Sequence, residues 1–265
     1  MAQYRLSPEQ RIEIVNRYLN GENGTILAEK FGITSQSVYS LLKNRNIQRR
    51  RKTYQCNEEY FDCINSSDKA YWLGFFYADG TMYRNTWEFH IGKEDKQHLY
   101  LLRDCLSSNH PICDTKSGCR IRIHSSHICE QMKKYKLQSP KSSNLEYPHW
   151  LGNNLQSHFI RGFYDGDGWI SIAKRHIKNS LCVGFASCSK SFLLSIQDYF
   201  CKEIGEKRGS IICRKRSHIP NQKDNFRLHF GGNISCNKIL NIIYKDTDNS
   251  LFLERKFFTW KKSQL

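Results

Sequence analysis

The sequence predicts an α+β protein that contains one unit twice, preceded by a small all-α module. Residues 72–80 read WLGFFYADG and residues 160–168 read IRGFYDGDG. The two motifs share an apolar start, two small residues four positions apart and a final Asp-Gly pair. A similar order of strand-like and helix-like stretches follows each motif. An internal repeat of this kind decides the architecture of a chain.

The small residues of the two motifs predict that two helices cross closely. Gly74 and Ala78 are four positions apart, as are Gly162 and Gly166, so each pair lies on one face of its helix. Small residues at that spacing let two helix backbones approach each other. We therefore expect the two motif helices to pack face to face.

The acid that closes each motif is a candidate metal ligand. Asp79 and Asp167 fall in the last helical turn, before Gly80 and Gly168, where we expect left-handed glycines. The helix dipole disfavours an anion there by about 0.3–1 kcal/mol, and two such acids would also repel each other. A divalent cation would relieve both effects, and Mg²⁺ takes one or two carboxylates plus phosphate oxygens. The alternative is an ordinary Asp-Gly turn, but the duplicated context favours metal binding.

Taken together, the two motifs resemble those of single-chain LAGLIDADG homing endonucleases, over roughly residues 66–265. The resemblance implies two pseudo-symmetric αββαββα repeats, residues 66–150 and 151–265, that form a DNA-binding saddle with the motif helices at their interface. It further implies a monomer that binds double-stranded DNA.

The same resemblance assigns roles to residues of the active centres. It implies that Asp79 and Asp167 bind the catalytic metals, Mg²⁺ or Mn²⁺, together with Ala78 and Gly166 directly before them. Basic residues usually lie near each centre of the family, and two lysines match that pattern, with surface lysines as the alternative. These candidates are Lys141 and Lys256. The first motif departs from the family at Tyr77, where an acid is often found, but that position is not the metal ligand.

Composition indicates an intracellular protein that binds a polyanion. The 265 residues carry a formal net charge of +16, which suggests nucleic acid as the partner. No apolar run approaches the roughly 18 residues of a membrane span, so we expect no membrane partner. The 11 cysteines include no C-x-x-C pair, and we expect reduced thiols in the cytoplasm or nucleoid, or in an organelle or virus-infected cell.

Residues 1–52 predict a helix-turn-helix module with a basic linker. Ser7 and Pro8 are typical of a helix start, and residues 25–42 resemble two helices joined by a turn at Gly32. The second helix would present polar side chains to a major groove, and the linker would follow phosphates; the alternative is a bundle that binds a protein partner. The candidate DNA-binding residues are Ser35, Gln36, Ser37, Tyr39, Lys43, Arg49, Arg50 and Arg51.

Two strands, one in each repeat, alternate apolar and basic residues. Such a strand buries one face and exposes the other, and Arg on an exposed face suits base recognition in the major groove. We therefore expect DNA contacts from Arg120, Arg122 and His124 in the first repeat, and from Arg227 and His229 in the second. The alternative is a plain solvated sheet face. Further helices are expected at residues 93–106, 127–137, 190–204, 237–244 and 253–261, with strands around 87–91, 169–172 and 181–187.

These features together predict a site-specific, Mg²⁺-dependent double-strand DNA endonuclease of the homing type. Two alternatives stay open: a non-cleaving DNA-binding regulator on the same fold, and an RNA-binding intron maturase. The presence of both motif acids favours the endonuclease.

Overall fold

A computed structural model describes residues 6–50, 53–137, 145–173, 180–205, 208–215, 224–247 and 251–264. The chain divides into two compact units between Thr53 and Tyr54. The candidate catalytic residue Lys141 and the candidate phosphate contact Arg51 lie outside the described residues. Within these ranges no helix combines the length and apolarity that crossing a membrane requires. All 11 cysteines are free thiols.

The N-terminal unit consists of three helices around a small apolar core. They are α1 (Pro8–Leu19), α2 (Gly24–Lys30) and α3 (Ser35–Asn44). Ser7 caps α1 in a capping box, with Pro8 at the first helical position as the sequence predicts. Ile14, Leu27 and Val38 are fully buried. Gly32 has φ +63° between α2 and α3, a left-handed conformation that glycine adopts without strain.

The C-terminal unit contains the predicted αββαββα order twice, which confirms the α+β fold class. The first half comprises α4 (Ser67–Asp79), β1 (Gly80–Tyr83), β2 (Thr86–Ile91), α5 (Lys96–Cys105), β3 (Ile112–Asp114), β4 (Cys119–His124) and α6 (Ser126–Lys134). The second half comprises α7 (Asn153–Asp167), β5 (Gly168–Ala173), β6 (Ser180–Ser187), α8 (Lys190–Ile204), β7 (Ser210–Arg214), β8 (Asn225–Gly231) and α9 (Asn233–Ile243). A further helix, α10 (Glu254–Lys262), follows.

Each half contains one antiparallel four-stranded sheet, and the two sheets have the same topology. The strand orders are β1-β2-β4-β3 and β5-β6-β8-β7. Phe89 lies opposite Ile121 in the first sheet, and Phe185 lies opposite Leu228 in the second. These four side chains are fully buried, so one face of each sheet packs on the core. The alternate residues of the same strands therefore lie on the opposite, more polar face.

The motif helices α4 and α7 cross with their backbones in contact, as the small residues predict. A Cβ atom added to Gly74 would lie 2.0 Å from the Phe159 carbonyl oxygen. A Cβ atom added to Gly162 would likewise lie 2.0 Å from the Tyr71 carbonyl oxygen. The contacts are reciprocal, since each glycine meets the carbonyl three positions before the glycine of the other helix. The two halves therefore pack about a pseudo-twofold axis through this crossing.

The expectation of left-handed glycines at the helix ends was wrong. Gly80 has φ −72° and Gly168 has φ −90°, and each residue begins a strand directly after its helix. Glycine is needed there for a different reason, the close approach of an aromatic ring from the preceding turn. A Cβ atom would lie 2.0 Å from the Phe76 ring at Gly80 and 2.3 Å from the Tyr164 ring at Gly168.

Candidate active site and nucleic-acid surfaces

The crossing of the motif helices brings the two motif acids to one end of the interface. Asp79 is the last residue of α4 and Asp167 is the last residue of α7. A Cβ atom added to Gly166 would lie 2.3 Å from the Ala78 Cβ atom and 3.0 Å from the Asp79 Oδ2 atom. The Asp79 carboxylate thus packs against the residue that precedes Asp167. Asp79 is half-buried and Asp167 is exposed.

The donor chemistry of this pair fits a hard divalent cation that shares its ligands with DNA. Carboxylate oxygens suit Mg²⁺, which commonly takes one or two carboxylates and completes its shell with waters and substrate phosphates. Among the described residues, no group of three or more His, Cys, Asp and Glu side chains could hold a metal by itself. By the ligand preference of Mg²⁺, the two carboxylates of Asp79 and Asp167 suit a site that a phosphate completes.

The candidate catalytic residue Lys256 lies beneath the second acid, in the protein interior. Its side-chain Nζ atom donates hydrogen bonds to three backbone carbonyls, those of Tyr164 at 2.7 Å, Gly166 at 3.2 Å and Gly168 at 2.5 Å. Burial lowers the pKa of Lys256 to about 8. A cation at a helix C-terminus offsets the helix dipole, so Lys256 supplies part of the compensation that we expected from a metal. Lys256 thus contacts the backbone of Gly166, a residue that the resemblance places at the metal.

Asp165 is a buried carboxylate whose role the sequence analysis missed. It accepts hydrogen bonds from the Tyr71 hydroxyl at 2.9 Å, the Tyr244 hydroxyl at 3.1 Å and the Leu253 amide at 2.7 Å. Burial raises its pKa to about 6, while the charge of Lys256 acts in the opposite direction. One sequence feature could have pointed to Asp165: it aligns with Tyr77 of the first motif. The two motifs therefore differ in charge at one buried position.

A cavity of about 320 Å³ opens beside Asp79 and also contains Arg255. The guanidinium of Arg255 forms two hydrogen bonds with the Asp95 carboxylate, at 3.2 Å and 2.9 Å. The side chain of Arg255 is 51% exposed. His90 and Glu94 also line this cavity. The sequence analysis did not single out Arg255, because a basic residue near a helix start carries no distinctive pattern.

Comparisons with known proteins agree with this fold. Residues 154–205 match the family model of the LAGLIDADG-like domain. The structure matches the LAGLIDADG homing endonuclease I-GzeII in complex with its DNA target, with a TM-score of 0.51 and 13% identity over 74% of this chain and 89% of that chain. The chain has the fold of the LAGLIDADG homing endonucleases. It also matches the LAGLIDADG homing endonuclease I-LtrWI bound to target DNA, with a TM-score of 0.50 and 12% identity over 78% and 89% of the two chains. No curated protein matches the sequence.

The basic residues of the first half of the C-terminal unit lie on the outer face of β4. Ile121 and Ile123 are fully buried, while Arg122 and His124 are exposed and Arg120 is half-buried. The predicted alternation is therefore present. Glu88 lies directly opposite Arg122 on β2, and the Arg122 Nε atom is 2.5 Å from the Glu88 carboxylate.

The corresponding face of the second half is organised around Trp169. A Cβ atom added to Gly184 would lie 2.1 Å from the Trp169 ring, so this indole covers the glycine. The His229 ring packs against the indole at 5.0 Å between centroids, and the Arg227 guanidinium carbon lies 5.6 Å from its centroid. The sequence analysis missed Trp169, although a glycine inside a strand often marks such a close approach.

The candidate DNA-binding residues of the N-terminal unit fall into two groups. Gln36, Ser37 and Lys43 are exposed on α3, whereas Ser35 and Tyr39 are half-buried.

Arg49 and Arg50, the described residues of the expected basic linker, lie on helices of their own unit. The Arg49 guanidinium lies 3.9 Å from the Tyr39 ring centroid, and that of Arg50 lies 4.3 Å from the Tyr18 centroid. The Arg50 amide also donates to the Tyr18 hydroxyl at 2.8 Å. Aromatic faces attract these cations, so Arg49 and Arg50 belong to the surface of the N-terminal unit.

Proposed function

We propose that this chain is a site-specific endonuclease that hydrolyses both strands of DNA with a divalent metal, Mg²⁺ or Mn²⁺. The observation that carries the proposal is the reciprocal glycine contact between α4 and α7, which sets the Asp79 carboxylate against Gly166, the neighbour of Asp167. The LAGLIDADG homing endonucleases I-GzeII and I-LtrWI, which match with TM-scores of 0.51 and 0.50, are described as bound to target DNA.

The residues of the chain divide the work of the reaction. Asp79 and Asp167 would hold the metal at the end of the helix interface. A bound metal would lower the pKa of a water nucleophile and stabilise charge on the phosphate. Asp79 is partly shielded from solvent while Asp167 is exposed, so the pair is accessible to a phosphate from the side of Asp167.

The basic surfaces supply DNA affinity. The outer faces of β4 and β8 present Arg120, Arg122 and Arg227, and the net charge of +16 supports binding to a polyanion. In this proposal α3 of the N-terminal unit is the second helix of a helix-turn-helix and contacts a major groove. A second tethered contact raises affinity through its effective concentration.

The test is selection of cleaved sites from a randomised DNA library in Mg²⁺, for the wild type and the Asp79→Asn and Asp167→Asn variants. We expect the wild type to cut both strands at a selected sequence, and both variants to bind that sequence without cutting it. Sequence-specific binding without cleavage by the wild type, in Mg²⁺ and in Mn²⁺, would favour the non-cleaving regulator. Stimulation of intron splicing without DNA cleavage would favour the maturase.

A further inference from the structure

The start of α10, from its N-cap residue Leu253 to Lys256, makes hydrogen bonds to both halves of the C-terminal unit. The Leu253 amide donates to the Asp165 carboxylate of α7 at 2.7 Å. Arg255 reaches Asp95 of the first half, at 2.9 Å. We call the segment Leu253–Lys256 the α10 clamp. The residues that the clamp contacts on the two halves, Asp95 and Asp165, are 70 positions apart in the chain. A single helical turn of α10 contacts both.

On the second half, the clamp holds the backbone on either side of Asp167. The Lys256 ammonium donates hydrogen bonds to the carbonyls of Gly166 and Gly168, which flank Asp167. It also donates to the Tyr164 carbonyl, in the last full turn of α7. Three carbonyls on one buried ammonium leave little freedom to the peptide groups that carry Asp167.

On the first half, the clamp ends next to Asp79. Asp95 directly precedes α5, and both Asp95 and Arg255 line the cavity that contains Asp79. The Asp95 side chain is only 11% exposed, so the two charge-assisted hydrogen bonds are partly shielded from water. Arg255 and Lys256 are neighbours in sequence, so a shift at one anchor is passed directly to the other.

We infer that the α10 clamp sets the separation of Asp79 and Asp167, and that Lys256 is a positioning residue that acts through the backbone of residues 164–168 rather than on DNA. This inference rests on the proposed metal-dependent cleavage for its kinetic test. The geometry itself is independent of that function, because it concerns contacts within the chain. A lysine that acted directly on a phosphate would need a free ammonium, and this one is occupied by three carbonyls.

The experiment compares Lys256→Met with Lys262→Met, which removes the same charge from an exposed position on the same helix. The first readout is the Mg²⁺ dependence of cleavage. We expect Lys256→Met to raise the half-saturating Mg²⁺ concentration by about 10–100-fold, as residues that orient metal ligands do, with the maximal rate largely recovered at high Mg²⁺. An unchanged Mg²⁺ requirement with a lowered maximal rate would overturn the inference in favour of direct catalysis.

The second readout does not need cleavage. Amide hydrogen exchange of residues 165–169 in the metal-free, DNA-free protein should speed up in Lys256→Met and stay unchanged in Lys262→Met. If the wild type does not cleave DNA, the proposed function fails, but the exchange rates still show whether Lys256 holds the backbone around Asp167. Unchanged exchange in Lys256→Met would overturn the inference.

A milder variant covers the case in which Lys256→Met does not fold. Arg255→Gln breaks the contact with Asp95 from a half-exposed position, and we expect it to raise the Mg²⁺ requirement in the same direction but by less. Asp95→Asn breaks the same contact from the other side and should match it. If both variants keep the wild-type Mg²⁺ requirement and exchange rates, the clamp has no role in placing the acids.

Discussion

Replacing Gly162 by alanine tests the helix crossing on which the active-site geometry depends. The new Cβ atom would lie 2.0 Å from the Tyr71 carbonyl oxygen and 2.8 Å from the Phe75 amide nitrogen. Both are backbone atoms of α4, so no side chain can rotate away. The helices must separate by about 1 Å before the shorter contact reaches 3.0 Å, the lower limit for real Cβ contacts.

The expected cost follows from two opposing terms. Overpacking a well-filled interface costs about 1–3 kcal/mol, and the rigid backbone on both sides places this site at the upper end. Alanine is better than glycine inside a helix by about 1 kcal/mol, which leaves a net loss of about 2 kcal/mol. The separation would also shift the ends that carry Asp79 and Asp167, and a 1 Å misplacement costs on the order of 100-fold in rate.

The assay is urea unfolding followed by tryptophan fluorescence. All 5 tryptophans lie beyond residue 53, so the signal reports on the C-terminal unit alone. The matched control is Gly231→Ala, since a Cβ atom there would meet nothing within 4 Å. If Gly162→Ala unfolds at the same urea concentration as the wild type and the control, the close crossing does not exist in solution.

Three further predictions concern the acids, a buried histidine and the N-terminal unit. Asp79→Asn should abolish double-strand cleavage in Mg²⁺ while gel-shift affinity for the target is retained, and normal cutting would refute the metal role. Burial lowers the pKa of His98 from 6.5 to about 4, so the unfolded chain binds the proton first, and stability should fall by up to about 3 kcal/mol as the pH drops through that window. His98→Gln should remove that part of the slope, and an identical slope would contradict the assignment. Deleting residues 1–53 should weaken DNA binding and make its salt dependence shallower, because fewer phosphates are neutralised; unchanged affinity and salt slope would exclude a DNA contact by this unit.

Local patterns were enough to predict most elements of the fold. The period-two alternation around Ile121 and Ile123 located β4, and the predicted helix at residues 190–204 coincides with α8. The four-residue spacing of small residues predicted the α4–α7 crossing. The short strands β1, β3 and β7 were missed because three to five residues give too few periods for alternation to be recognised.

The contacts around the acids were beyond local patterns because they join distant parts of the chain. The Leu253–Asp165 hydrogen bond spans 88 residues, and the bonds of Lys256 span about as many. The family resemblance identified Lys256 as a basic residue of interest, but only the fold shows that its ammonium faces backbone carbonyls. The same limit applies to Arg50, which read as part of a linker and lies on Tyr18, 32 positions earlier.

The two motifs carry different residues at one equivalent buried position, Tyr77 in the first and Asp165 in the second. The difference bears on the role of the buried ionisable groups. In the first motif Tyr77 is neutral, and its hydroxyl donates to the Tyr135 carbonyl at 3.1 Å. In the second motif Asp165 is buried near Lys256, whose charge acts on it. Since the first half folds with a neutral residue at this position, stability alone does not require this combination of two buried ionisable groups. Its distinguishing feature is that it ties α10 to the backbone around Asp167, which is what an active site that must hold two acids in register would need.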